Sequence, residues 1–430
     1  MKISFWGATE EVTGSMTFVD LPEGRVLVDC GMSQGSEESD KTNKTPPMYL
    51  PKEVDAIFVT HAHLDHSGLL PRFVKKGFKG RIYCTGATSR LLKIILLDSA
   101  SLNEDDFYTE KDVQETLHRI KTLEWNEHLS LFGGSFSFVA AGHILGASSL
   151  VISCDKKKIV FSGDLGRNND PLIPAPDPCP TADLIIMEST YGGKNRTGNI
   201  EKDLHTFLMK VSREGRVGII ASFAVARGQM LLTLIHDFFE KYPAEKVKFY
   251  MDSPMMKEAN GVYQQYAHLT SIPENVFSAL DSVESIDYPR QWESVSKKTG
   301  PMIIVGSSGM LTGGRIWRHL NNWQNDPKAV LLLPGYQAEG TPGHLITQGV
   351  RDLKSGEQVI HWTGEIMASE AFSSHADQSE LITWATTNNK NARIFLQHGE
   401  AAAKTALKQK LQELGVVNVE IPVHGETIKV

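Results

Sequence analysis

The stretch Thr60-His61-Ala62-His63-Leu64-Asp65-His66 decides how the rest of the chain is read. It follows the apolar run Ala56-Ile57-Phe58-Val59, whose length and branched residues suit a buried strand. Three imidazoles and a carboxylate therefore fall where a strand emerges. Residues two apart on extended backbone face the same way, so His61 and His63 can address one metal ion. Asp65 and His66 arrive as the chain turns into a helix and can address a second. Borderline-soft divalent ions, zinc above all, take imidazole nitrogen and carboxylate oxygen as ligands. A surface loop that is rich in histidine by chance is the competing reading. The strand-end position and the further ligand candidates downstream argue against it.

The chain has 430 residues, which suggests about two domains. With 41% hydrophobic and 22% charged residues it has the composition of a soluble globular protein. No apolar run approaches the length of about 20 residues that a membrane-spanning helix needs. Met1 to Gly7 reads as a strand and a turn, without the long apolar segment of a secretory signal. Cys30, Cys84, Cys154 and Cys179 are scattered with no CxxC pair, which suggests neither a disulfide framework nor a thiolate zinc site. A reducing cytoplasm is the expected location. The net charge of −7 argues against a passive nucleic-acid coat protein but leaves a nuclease open, since bound metal ions and a local groove can handle phosphate.

Outward from the histidine stretch, residues 2–6, 16–20 and 25–29 read as short strands broken by Gly14 and Gly24, a meander closed by Val28-Asp29-Cys30-Gly31. Residues 32–50 are polar and read as a loop. Helices are expected from Ser67 to Lys76, from Ala87 to about Asp105 and from Glu110 to about Trp125, with a strand over Arg81-Ile82-Tyr83-Cys84. His143 follows the apolar strand Phe136 to Val139 and sits among small residues that let a ligand approach. Lys158-Ile159-Val160-Phe161-Ser162-Gly163-Asp164 is another buried strand that ends in a carboxylate. Asp164 there can form an Asx turn, or its two oxygens can bridge two ions.

His61-x-His63-x-Asp65-His66, then His143, then Asp164 resemble in order the metal-ligand motifs of the metallo-β-lactamase superfamily. The resemblance implies a four-layer αβ/βα sandwich with a dinuclear site at the sheet edges. One ion would take His61, His63, His143 and Asp164. The other would take Asp65, His66, Asp164 and a histidine further along.

In a simple hydrolase of that superfamily the last histidine would follow soon after Asp164, and here it does not. Asp183 to Glu188 is a strand ending in an acid, followed by Ser189-Thr190-Tyr191-Gly192. Helical patterns near 199–213, 227–241, 256–268 and 314–325 then alternate with apolar strands at 217–221, 247–251, 301–305 and 329–333. Such alternation predicts a separate α/β domain built on a parallel sheet. Two of its Gly-rich turns, one carrying Ser307 and Ser308 and one entering a helix at Gly313-Gly314-Arg315, are placed as phosphate-binding loops would be. Ordinary strand-to-helix turns look the same. A third loop, Gly335 to Thr341, carries Tyr336 as a stacking surface for a base.

After residue 365 the earlier style returns. Asp377 is placed as a helix N-cap after Ser373-Ser374-His375-Ala376, and Ala392 to Leu396 is a strand leading to Gln397-His398-Gly399-Glu400. An amphipathic helix follows from Ala401 to Leu414. A second His-Gly-Glu, His424 to Glu426, is set aside because no helix follows it. His398 is the candidate for the last ligand.

An α/β insertion between Asp164 and the final histidine, with the markers Glu188-Ser189-Thr190-Tyr191-Gly192, Ser373-Ser374-His375-Ala376-Asp377 and His398-Gly399-Glu400, resembles the β-CASP nucleases over essentially the whole chain. The likeness is strongest to RNA-cleaving prokaryotic relatives of the cleavage and polyadenylation nuclease subunit. It implies an α/β fold, a metallo-β-lactamase sandwich (1–195 and 365–430) with an inserted Rossmann-like β-CASP domain (196–364). It implies two zinc ions holding a hydroxide that hydrolyses phosphodiester bonds of single-stranded RNA, in a cleft that rejects duplex. Glu188, His375 and His398 fall on the family motifs A, B and C. Histidine at the last of these favours RNA, since DNA-cutting members carry valine there. His375 would protonate the leaving group, Glu188 would hold its ring, and Asp65 would help to orient the nucleophile as well as ligate. Arg227 and Arg315 would contact phosphate or span the domains. His344 departs from the family, which commonly has arginine there. A thioester or lactone hydrolase and a non-catalytic RNA scaffold are the rival readings. Endonuclease and 5′-to-3′ exonuclease modes, protein partners and any homo-oligomer are not legible.

Overall fold

A computed structural model describes residues 1–34, 37–102, 107–280, 283–338 and 340–430. Asp105, the expected end of one helix, and Glu339, in the Gly335 to Thr341 loop, lie outside the described residues. The chain divides into one unit of Met1–Asn195 with Ser374–Val430 and another of Arg196–Ser373.

The first unit is built on two seven-stranded sheets. One runs in the order Thr427–Lys429, Lys2–Gly7, Met16–Leu21, Gly24–Val28, Ala56–Phe58, Arg81–Cys84 and Ile120–Thr122. The other runs Val419–Glu420, Arg393–Leu396, Leu184–Met187, Lys157–Phe161, Ser148–Cys154, Gly134–Ala140 and Leu129–Leu131. Each sheet is antiparallel in one half and parallel in the other, with Gly24–Val28 and Lys157–Phe161 at the change. Alternate residues of both sheets, among them Phe5, Val26, Val28, Phe58, Phe136, Leu150, Ile152 and Phe395, meet in one buried core. Phe58 and Phe136 stack with centroids 4.3 Å apart and planes 8° from parallel. Burial of each such ring stabilises the fold by about 2–3 kcal/mol, and Phe58→Ala would cost about 3–5 kcal/mol once its cavity is counted.

This packing aligns strand ends. Gly24–Val28 ends at Asp29, Ala56–Phe58 leads to His61, Gly134–Ala140 to His143, Lys157–Phe161 to Asp164, Leu184–Met187 to Glu188, and Arg393–Leu396 to His398. Every one of these is a carboxyl end, where open α/β sheets place their ligands.

Local departures from expectation have physical reasons. Within 32–50 there is a helix, Glu37–Lys44, whose polar sequence carries no apolar stripe to announce it. Lys41 and Lys44 in its last turn suit the helix dipole, and Asn43 clamps it by accepting from Ser33 N and donating to Ser33 O, both at 2.8 Å. The segment from Ser67 to Lys76 belongs to two short helices, Leu64–Ser67 and Leu70–Lys75, the second with Pro71 in its first turn. The helix from Glu110 stops at Arg119. Ile120–Thr122 instead forms a strand in parallel with Ile82–Cys84, because β-branched residues beside an open strand edge gain more from pairing than from helix.

The second unit carries a six-stranded sheet in the order Glu284–Ser285, Lys248–Asp252, Met302–Gly306, Val217–Ala221, Ala329–Pro334 and Glu365–Ser369, parallel throughout. Val217–Ala221 is buried at every residue, as a strand covered on both faces must be. Helix Ile200–Arg213 buries Ile200, Leu204, Phe207, Leu208 and Val211 on one side, and Asn199 caps it by accepting from Lys202 N at 2.8 Å. Glu365–Ser369, beyond the expected end of the insertion, pairs with Val330–Pro334 of this sheet.

Candidate metal centre

The strand ends of the first unit converge on Asp164, which is 2% exposed. His61 Nε2 and His143 Nε2 each lie 3.6 Å from Asp164 Oδ2. They lie 3.1 Å and 3.2 Å from His63 Nδ1. On the other carboxylate oxygen, Asp164 Oδ1, His66 Nε2 approaches to 3.2 Å and His398 Nδ1 to 3.4 Å. His66 Nε2 and His398 Nε2 are 2.9 Å apart, and His398 Nε2 is 3.4 Å from Asp65 Oδ2. All seven of the expected ligand residues are thus brought together. They fall into donor groups that share Asp164: His61, His63, His143 and Asp164, and then His66, Asp164 and His398, with Asp65 beside His61 and His66.

These donors fit divalent ions. A tetrahedral zinc site with nitrogen about 2.0–2.1 Å away separates its nitrogens by about 3.3 Å, close to the spacing found among His61, His63 and His143. Asp164 Oδ1 is buried, and among the described residues it is approached by imidazole nitrogens of His66 and His398 without a well-aligned hydrogen bond. Burial drives the pKa of His61 and His143 well below the usual range and that of His63 down to about 4, which leaves neutral rings with lone pairs to donate. Burial pushes Asp164 up, but the surrounding imidazoles of His398, His66 and His61 outweigh it and keep the carboxylate ionised.

One contributor had no place in the sequence reading. Asp29, in left-handed backbone at φ 59°, accepts from Thr60 N at 2.8 Å and from Thr60 Oγ1 at 2.9 Å, and lies 2.7 Å from His66 Nδ1. It fixes the ring of His66 so that Nε2 faces Asp164. The available signal was an acid closing a strand beside a small residue, the pattern shared by Asp164.

His375 and Glu188 stand at the edge of the same cluster. Glu188 accepts from Leu165 N at 2.8 Å and Thr190 N at 3.1 Å, so its carboxylate is fixed. Glu188 Oε1 lies 3.3 Å from His375 Nδ1. Burial lowers the pKa of His375, but the Glu188 carboxylate outweighs that and raises it overall. The backbone of His375 bridges Gly166, which holds it beside the Asp164 turn, and Asp377 caps the following helix by accepting from Glu380 N at 3.2 Å. His424, set aside in the sequence, packs against Trp6 with centroids 4.2 Å apart and planes tilted by 47°, and belongs to none of the donor groups found among the described residues.

The remaining candidates lie in the second unit. Ser307 and Ser308 follow strand Met302–Gly306, and Ser308 Oγ bonds Thr312 Oγ1 at 3.0 Å. Arg227 is buried and donates to Pro334 O at 2.8 Å. Arg315 donates to Asp252 Oδ1 at 3.1 Å and Ile286 O at 3.0 Å. Both guanidinium groups are engaged within their own unit.

Comparison with known proteins agrees with this geometry. Family models match residues 9–214 as the metallo-beta-lactamase superfamily, 228–346 as a Beta-Casp domain and 364–424 as a Zn-dependent metallo-hydrolase RNA specificity domain. The chain is 33% identical to ribonuclease TTHA0252 of Thermus thermophilus over 440 residues, covering 100% of both. It is 30% identical to an RNase J-like protein of Methanocaldococcus jannaschii, covering 100% of this chain and 99% of the relative. It is 28% identical to cleavage and polyadenylation specificity factor 73 of Drosophila melanogaster, covering 96% of this chain and 62% of the relative. A solved protein of unknown function from Enterococcus faecalis shares the fold at TM-score 0.60 and 15% identity, covering 100% of this chain and 99% of that one. The chain is a metallo-hydrolase of the metallo-β-lactamase superfamily, and within that superfamily it belongs to the β-CASP nucleases. Among its described residues no helix is long and apolar enough to cross a membrane.

Proposed function

We propose that this chain is a zinc-dependent ribonuclease that hydrolyses phosphodiester bonds within single-stranded RNA, with a role in RNA processing or decay. The carrying observation is the convergence of His61, His63, His143, His66 and His398 on one buried carboxylate, Asp164, with Asp65 beside His61, His66 and His398. Relatives named as ribonucleases along the whole chain support RNA as the substrate, as does the matched RNA specificity domain. Internal cutting is put forward on the likeness to a relative named for cleavage before polyadenylation.

His61, His63, His143 and Asp164 would hold one ion, and Asp65, His66, His398 and Asp164 the other. Bound by these residues, the ions would supply water activated at neutral pH and charge withdrawal from a phosphoryl oxygen. The chain's own residues do the rest. Asp65 orients the attacking water. His375, held by Glu188 through Nδ1, directs Nε2 at the leaving ribose 3′-oxygen and delivers its proton. The products are 3′-hydroxyl and 5′-phosphate ends.

The test is the purified protein with single-stranded RNA labelled at its 5′ end, beside the same RNA labelled internally. A ladder of labelled intermediates is expected. Immediate release of labelled mononucleotide would establish 5′-to-3′ digestion instead. Cleavage of a thioester or lactone with RNA left intact would replace the nuclease reading altogether.

A further inference from the structure

Lys404 belongs to helix Ala401–Glu413 and is 2% exposed. Lysine is almost never buried to that degree without a partner. Its ammonium donates to the backbone carbonyl of Thr9, and among the described residues it makes no ion pair. Burial holds its pKa below the ordinary lysine value, with only the charge of Glu10 acting the other way.

Thr9 lies in the segment Gly7–Ser15, which touches two of the candidate ligands through backbone. Ala8 O accepts from His398 N at 2.7 Å, and Ser15 N donates to Asp65 O at 2.7 Å. The segment is tightly folded. A side chain at Gly7 would place its first carbon 1.8 Å from Gly14 O, and Gly14 itself takes φ 81°. His398 also stands in left-handed backbone, at φ 53°. Such a conformation costs about 1 kcal/mol or more for a residue with a side chain and persists only where the surroundings impose it. The hydrogen bond that His398 N donates to Ala8 O is one such constraint. Among the described residues, His61, His63 and His143 make no backbone hydrogen bond to this segment.

We propose that Lys404 is a positioning residue: through the Thr9 carbonyl it holds Gly7–Ser15 as a brace between Asp65 and His398, and so fixes both side chains for the second ion. This rests on the proposed two-ion reading of the site.

The experiment titrates zinc into metal-free protein against a chromophoric chelator, for the wild type, Lys404→Met and Lys404→Gln. Methionine matches the length of lysine and suits a buried site, but donates nothing. Glutamine keeps an N–H. The wild type is expected to bind two ions. Lys404→Met is expected to keep one at unchanged affinity and to bind the other at least about ten-fold more weakly, the scale of lost support to a ligand. Its His398 amide should exchange faster with deuterated solvent, and Lys404→Gln should recover part of both losses. Wild-type affinity for both ions in Lys404→Met would overturn the proposal. So would equal loss of both ions in a variant that melts early, because that marks a purely structural lysine. A wild type that binds no pair of ions would refute the two-ion reading itself, and the brace with it.

Discussion

Asp164 and Asp252 are both buried aspartates at the ends of strands that pair in parallel, and their surroundings differ in kind. Asp164 in the first unit is ringed by imidazoles, and no lysine or arginine pairs with it among the described residues. Asp252 in the second unit accepts from Arg315 at 3.1 Å, from Arg318, and lies 2.5 Å from His319 Nε2. Both carboxylates are withdrawn from water, at 2% and 0% exposure. A buried anion demands a positive charge. The second unit supplies that charge from its own side chains, so its cluster holds structure together. Among the described residues the first unit sets imidazoles and no lysine or arginine beside Asp164, and burial holds three of those rings, His61, His63 and His143, neutral with lone pairs to donate, which suits a site that takes its cations from solution.

The comparison breaks most visibly at Asp164. Asp164→Ala is expected to lose both ions and essentially all cleavage, read by elemental analysis and an RNA assay. Zinc added to the wild type should also raise its melting temperature, because the ions bind only the folded state, and this rise should vanish in the variant. His375→Ala is expected to retain both ions and lose about 10²–10⁴-fold in cleavage rate, the range for a missing general acid. Full activity in that variant would remove the acid role. Asp252→Asn should leave metal content unchanged while destabilising the second unit by about 3 kcal/mol, since two arginines would lose a buried partner.

A pH series sharpens the same contrast. Burial pushes the pKa of Asp252 up, but His319 and Arg318 outweigh it and hold the carboxyl below its ordinary value. Burial likewise holds His319 below its ordinary value despite Asp252. For both groups the unfolded chain takes up protons at a higher pH than the folded chain does. Stability is therefore present above the unfolded values, about 6.5 for histidine and about 3.9 for aspartate, and falls as the pH is lowered through and below them. In metal-free protein, where the site ions add nothing, the unfolding midpoint of the second unit should drop between pH 7 and pH 4, and at least as steeply in Asp252→Asn, where His319 loses the carboxylate that opposes the effect of burial. The smallest effect is expected at His424→Ala, which should keep both ions and cut at a rate within about two-fold of wild type.

How much was legible in the sequence follows from where each signal resides. His61, His63, Asp65 and His66 were plain because ligands for two ions crowd one strand end. His143, Asp164 and His398 were legible because each comes a few residues after an apolar run. Asp29 was missed: its role depends on pairing between Gly24–Val28 and Ala56–Phe58, and no local pattern reports that. The helix Glu37–Lys44 was missed because it is anchored by Asn43 rather than by an apolar face. Strand Ile120–Thr122 was hidden by continuity of the preceding helical pattern, and its partner lies far back in the chain at Ile82–Cys84. Arg315 follows a Gly-rich turn, as a phosphate ligand would, yet its carboxylate partner Asp252 comes from a strand 63 positions earlier. Only the folded sheet reveals that pairing.

The strand order of the first unit has a consequence for synthesis. Arg393–Leu396 is added beside Leu184–Met187 only after the whole intervening unit has been made. A ribosome-bound chain that has reached Ser373 holds His61, His63, His143 and Asp164, but neither His375 nor His398. The proposed second ion site and its proton donor therefore cannot be assembled until the chain has been made through His398, whatever the earlier strands have already folded into.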